Sequence, residues 1–157
     1  MTGDFERPLN ARGRHAAPIM AAWLASRGWH PELVLCSTAA RTRETLELTR
    51  EILAPSTVQT ERALYLASAQ MLRRCLRRID DAVSRAMIIA HNPGLEDLAH
   101  ALDRGLGEPS SRLRAKFPTA AMAWFRVDIM RWRDCFDADV VLVEFMTPGG
   151  IVGDDQD

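Results

Sequence analysis

The sequence predicts an α/β fold built on a mostly parallel sheet, and three observations carry that expectation. Leu33-Val34-Leu35-Cys36 and Met87-Ile88-Ile89-Ala90 are short apolar runs with the length of buried strands. Each ends in a turn and leads into a helical pattern, Ser37-Thr38-Ala39-Ala40-Arg41 in the first case and His91-Asn92-Pro93-Gly94-Leu95 in the second. Strand and helix patterns then alternate along the chain, the signature of a sheet whose parallel strands are joined by helices.

The elements follow in order. Asn10 is placed to cap a helix reaching about Arg27, with Gly28 ending it. Pro18 should kink that helix or mark its true first turn, because it lacks an N–H and crowds the preceding turn. The strand at 33–36 is followed by a helix from about 39 to 53, closed by Pro55. Val58-Gln59-Thr60 forms a short strand. Residues 69–79 read as a helix with Leu72, Cys75, Leu76 and Ile79 on one face and Arg73, Arg74, Arg77 and Arg78 largely opposite. Those arginines could meet nucleic acid, but with no interleaved aromatics they read as a solvated face.

The strand at 87–90 and a helix at about 95–104 come next, and Gly105 to Lys116, with Gly107, Pro109, Ser110 and Ser111, reads as a loop. Ala120–Val127 and Val140–Met146 are two further strands, joined without a clear helix and so able to pair antiparallel at one edge. Trp124 and Trp132 belong in or beside the core. One domain over residues 1–146 and a flexible tail over 147–157, glycine-bearing and ending in late aspartates, complete the organisation.

Composition narrows the function classes. The 157 residues are 47% hydrophobic and 26% charged, ordinary for a soluble globular domain. A net charge of −1 gives no reason to expect nucleic acid or an anionic membrane as partner. Cys36, Cys75 and Cys135 are odd in number and contain no CxxC, so neither a disulfide framework nor a zinc site is indicated, and a reducing cytoplasm fits. No signal pattern opens the chain and no apolar run approaches a membrane span. Lys116 is the single lysine among 20 basic residues, a coding bias that suggests a GC-rich bacterial genome.

Two turns carry the chemistry. His91 stands at the carboxyl end of a strand, facing the amino end of a helix, where ligands of open α/β sheets bind and free N–H groups favour anions. Arg41 lies in the first turn of its own helix, where a guanidinium can fork onto two phosphate oxygens. Taken singly, such a histidine is more often a packing residue and such an arginine a solvated one. Two strand-to-helix turns with complementary anion ligands are harder to dismiss.

At these residues the chain resembles the histidine phosphatase superfamily, and within it the SixA-like phosphohistidine phosphatases. The matching pieces are Asp4-Phe5-Glu6-Arg7-Pro8-Leu9-Asn10-Ala11-Arg12-Gly13 and Cys36-Ser37-Thr38-Ala39-Ala40-Arg41-Thr42-Arg43-Glu44-Thr45. Then come Glu61-Arg62-Ala63-Leu64-Tyr65-Leu66-Ala67, His91-Asn92-Pro93-Gly94-Leu95-Glu96 and Lys116-Phe117-Pro118-Thr119-Ala120-Ala121. The resemblance implies a phosphoglycerate mutase-like sheet with helices on both faces. It also implies dephosphorylation of phosphohistidine on a partner protein through a phosphohistidine enzyme intermediate, with no metal and no cofactor. Arg41 and His91 would be phosphate ligands and catalytic groups, Asn92 a further phosphate ligand, and Glu61 a candidate general acid. Small phosphorylated molecules are alternative substrates.

The chain departs from the family at its start. Family members open with a strand ending in an Arg-His pair whose histidine is the nucleophile, whereas this chain begins at Met1-Thr2-Gly3-Asp4. Arg14-His15 falls where a helix is expected, so His15 reads as a surface residue. Whether the chain is an enzyme is therefore open; the alternative is an inactive or truncated member that only binds phosphorylated groups. The absent strand would lie between those at 33–36 and 87–90. The expectation is that these two strands close on each other, that another segment or chain fills the slot and makes an oligomer, or, the favoured outcome, that upstream residues restore it.

Overall fold

The computed structural model describes residues 3–154, with the side chains of 152–154 left aside. The chain forms two compact units: residues up to Ala67 with Val83–His91, and Ser68–Ala82 with the residues from Asn92 onward.

In the first unit, helix α1 spans Ala11–Ser26. Asn10 caps it, its side chain accepting from the Gly13 N–H at 2.8 Å. Pro18 lies inside the helix, so the first turn begins at Ala11 and not at the proline. The buried face of α1 is mostly small: Gly13, Ala16, Ala17, Met20, Ala21 and Leu24. A Cβ at Gly13 would meet Leu9 Cδ2 at 2.9 Å, so a larger residue there would displace the end of the Leu9 side chain. Helix α2, Ala40–Leu53, packs against α1 and buries Thr42, Leu46, Thr49 and Leu53, one face at helical spacing.

Strand β1, Leu33–Ser37, is buried along its whole length. It pairs in parallel with β2, Thr57–Glu61, on one side and with β3, Ala86–Ile89, on the other. Val34, Cys36 and Leu46 form a core cluster, backed by Val58, Met87 and Ile89.

Of the three outcomes expected for the missing strand, the first is the one seen among the described residues. The strands expected to flank a missing strand are hydrogen-bonded to each other, with Leu33 opposite Ala86 and Cys36 opposite Ile89. No slot separates them, because β1 satisfies both of its edges with β2 and β3. Among the described residues β2 and β3 are the two edges of this sheet, and the four residues of β3 are only partly buried.

The second unit holds α3, Ala69–Arg77, which Ser68 caps by accepting from the Met71 N–H at 3.2 Å. Helices α4, Gly94–Leu102, and α5, Gly107–Ala115, follow. Strands β4, Met122–Val127, and β5, Val140–Met146, pair antiparallel with an irregularity at Trp124/Phe125. Ala99, Leu113, Leu142 and Phe145 form the core, flanked by Phe117, Ala121, Ala123 and Phe125.

Two segments differ from expectation. The stretch from Gly105 to Lys116, read as a loop from its glycine, proline and serine content, contains α5. Pro109 sits in the first turn, where a missing N–H costs no helical hydrogen bond, and the fully buried Leu113 anchors the helix. The segment after Thr147, expected to be a flexible tail, carries α6, Pro148–Asp154, while residues 155–157 lie outside the described residues.

Candidate phosphate site

The turn from β1 into α2 is built from short polar side chains. Thr42 Oγ1 donates within reach of the Ser37 carbonyl at 2.9 Å and the Ala39 carbonyl at 3.0 Å, which folds the turn tightly. Ser37, fully buried, accepts from the Ala39 N–H at 3.3 Å. Thr38 Oγ1 is buried and has no hydrogen-bond partner. The turn thus sets Arg41, in the first turn of α2, at the carboxyl edge of the sheet.

His91 reaches the same edge two residues past the end of β3. Its Nε2 lies 2.8 Å from Ser37 Oγ, and the residue is 6% exposed. Burial pushes its pKa down to about 4, the Arg41 charge adding to that and Asp4 opposing it. At neutral pH the ring is therefore uncharged. It carries one N–H, which can donate only where the tautomer places it.

Asp4 joins the two turns. Arg41 Nη1 donates to the Asp4 carbonyl at 2.8 Å and Nη2 to the Asp4 carboxylate at 3.2 Å. The Tyr65 hydroxyl donates to the same carboxylate oxygen. The Tyr65 ring meets the His91 ring edge to face at 5.4 Å and the Phe5 ring at 4.9 Å, and Arg62 lies 4.7 Å over Phe5. Tyr65 and then Arg41 hold the Asp4 carboxyl below the usual carboxylate range, and Asp4 in return raises the Tyr65 phenol. Arg41 and His91, 50 positions apart in sequence, are thus brought to one cluster through Asp4 and Tyr65.

The comparisons with known proteins bear on this cluster's ancestry. Three solved structures share the fold. SixA from Nakamurella multipartitia has a TM-score of 0.83 at 24% identity over 94% of this chain and 88% of that one. SixA from Agrobacterium tumefaciens has 0.77 at 27% identity, over 94% and 87%. The protein histidine phosphatase SixA solved with tungstate has 0.77 at 24%, over 96% and 90%. The chain belongs to the histidine phosphatase superfamily. Its α/β architecture is the SixA-type, phosphoglycerate mutase-like one. Uncharacterised proteins of Mycobacterium leprae and Mycobacterium tuberculosis are each 34% identical over 148 residues, 92% of this chain and 89% and 91% of theirs. No protein-family model matches the chain.

The other residues singled out from the sequence of this superfamily member are placed as follows. Glu61 ends β2 and is the register partner of Ser37, so it shares the carboxyl edge of the sheet, one strand away from the His91 side. Asn92 belongs to the second unit, and both polar atoms of its side chain are engaged. Its Oδ1 accepts from the Glu96 N–H at 3.2 Å and its Nδ2 donates to the Phe117 carbonyl at 3.3 Å. The second N–H of its Nδ2 amide is used by neither bond. His15 is exposed on α1, as expected of a helix surface residue. Among the described residues no group of three or more His, Cys, Asp or Glu could hold a metal ion, and no helix is long and apolar enough to cross a membrane.

Asp4, Tyr65 and Ser37 were not marked as site residues by sequence reasoning. Ser37 could have been found from the strand-to-helix turn itself. Asp4 and Tyr65 sit 61 positions apart in irregular segments, where no periodicity announces a contact.

Proposed function

We propose that this chain is a phosphohistidine phosphatase-like protein whose Arg41 and His91 hold the phosphoryl group of a phosphohistidine borne by a partner protein. The observation that carries the reading is the meeting of a fixed guanidinium and a buried, neutral imidazole at one sheet edge. Transfer of a phosphoryl group depends chiefly on positioning it and stabilising charge on its oxygens. Arg41 would clamp two of those oxygens in exchange for Asp4, and His91 would donate to a third. The unpartnered Thr38 hydroxyl is a further donor beside them. Glu61, at the same edge, is the candidate to protonate the leaving imidazole. The SixA structures support the substrate class, since those proteins are named for it. The free thiols of Cys36 and Cys135 suit a cytoplasmic setting.

The route of the superfamily runs through a nucleophilic histidine that carries the phosphoryl group between two displacements. A second reading, binding without turnover, is favoured by where the four histidines of this chain stand. His15 is exposed on α1, His30 meets the Leu53 carbonyl at 3.0 Å, and His100 faces Glu96 at 3.7 Å. None of the three joins His91 in the cluster around Asp4 and Tyr65.

The two readings part in one experiment, in which the purified 157 residues are given a phosphohistidine peptide and phosphate release is followed. The expected result is binding of the peptide with little or no turnover, and turnover on addition of an in-frame amino-terminal strand ending in Arg-His. Robust turnover by the 157 residues alone would contradict this and turn attention to a substitute nucleophile, with His15 first.

A further inference from the structure

Helix α3 carries a feature that the phosphohistidine reading does not use. Arg73, Arg74 and Arg77, with Gln70, line a cavity of about 260 Å³. Arg78 follows at the end of the helix, and no acidic residue occurs between Ala69 and Arg78. Arg73 and Arg77 are four residues apart, as are Arg74 and Arg78, and like charges at that spacing oppose helix formation. Among the described residues no carboxylate forms an ion pair with any of the four, although arginines elsewhere in the same unit do find one, Arg112 with Glu144 and Arg114 with Asp103.

Two of the guanidinium groups are held in place all the same. Arg73 lies 4.3 Å and Arg77 5.4 Å over the ring of Phe136, which fixes two cations on one aromatic side chain. Arg73 Nε is buried with no hydrogen-bond partner. Three forked donors around a concave space, two of them pre-positioned and none ion-paired with a carboxylate among the described residues, are suited to phosphate oxygens.

We propose that Arg73, Arg74 and Arg77, backed by Phe136, form a second anion site that takes a compact compound with two or more linked phosphate groups. The geometry favours such a ligand over a nucleic-acid strand. The site is a single short helix with a cavity, not an extended track, and Phe136, its aromatic platform, already carries two guanidiniums. The site shares no residue with the Arg41–His91 cluster, so it stands or falls separately from the phosphohistidine reading.

Calorimetric titration of the full chain with pyrophosphate tests the proposal. The expected result is pyrophosphate binding that persists in Arg41→Ala and is weakened there about tenfold or more by the double change Arg74→Gln/Arg77→Gln, since each guanidinium contributes charge-assisted hydrogen bonds. Arg73 is left intact in that variant to preserve its contact with Phe136, and an unchanged melting temperature would show that the fold persists. Binding should survive Arg41→Ala, which empties the other site of its cation, and should survive Arg12→Gln/Arg50→Gln, which removes the same net charge from exposed positions on α1 and α2. The proposal is overturned if pyrophosphate does not bind, if Arg74→Gln/Arg77→Gln leaves binding by Arg41→Ala unchanged, or if Arg12→Gln/Arg50→Gln weakens it equally. Tighter binding of a single-stranded oligonucleotide than of pyrophosphate, lost in Arg74→Gln/Arg77→Gln, would also overturn it and make the helix a nucleic-acid surface.

Discussion

His91 is held neutral by burial, and that has a consequence for stability as well as for chemistry. Its folded pKa of about 4 lies below the ordinary 6.5, so the unfolded chain takes up a proton first as pH falls. The stability contributed by the neutral ring is fully present above 6.5 and is lost between 6.5 and 4, on the order of 3 kcal/mol in all. The wild-type chain should therefore lose more stability over that window than His91→Gln does; equal slopes in denaturant titrations would contradict the assignment. Asp4 makes a prediction of the opposite kind. Its carboxylate occupies the guanidinium that would clamp a phosphate, and it adds negative charge beside the site. In Asp4→Asn the amide oxygen can still accept from Tyr65 while the charge is gone, so inorganic phosphate should bind about 3- to 10-fold more tightly. Weaker binding would show instead that Asp4 is needed to orient Arg41.

At the level of elements, what was legible depended on periodicity. The apolar run at 33–36 has the length of a buried strand and the stripe of Leu72, Cys75, Leu76 and Ile79 has helical spacing, and both elements stand where the pattern puts them. Helix α5 has no such stripe. It is organised by Asp103, whose Oδ2 accepts from Ser110 Oγ at 2.6 Å and whose Oδ1 accepts from the Gly105 N–H at 3.1 Å, with Arg114 Nε at 3.5 Å. Burial alone would raise the Asp103 pKa, but the Ser110 hydroxyl, the Gly105 N–H and Arg114 together hold it below its ordinary value. Composition cannot reveal a carboxylate that ties a turn to a helix seven residues away. Asp103→Ala would leave the buried Ser110 hydroxyl without its acceptor and should cost about 1–3 kcal/mol. A thermal or denaturant melt reads this directly, and a change below 0.5 kcal/mol would mean that Leu113 packing alone sets α5.

At the scale of the whole molecule, the strand order was the part least legible in the sequence. Nothing in Leu33–Cys36 or Met87–Ala90 says which neighbour each strand takes, since both are apolar on both faces and pair equally well with any similar strand. The direct pairing of β1 with β3 stands in a chain that SixA folds cover over 94% of its length or more. The candidate site was half legible: Arg41 and His91 announce themselves at strand-to-helix turns, whereas Asp4 and Tyr65, which bring them into one cluster, depend on the tertiary fold. The central claim is that Arg41 and His91 together hold a tetrahedral dianion, and NMR of the histidine ring nitrogens during titration with tungstate tests it most directly. A bound dianion favours the charged ring, so the pKa of His91 should climb from about 4 by a unit or more, with no such change in Arg41→Ala. A His91 resonance that ignores tungstate while the anion binds elsewhere, or a response unaltered by loss of Arg41, would contradict the account.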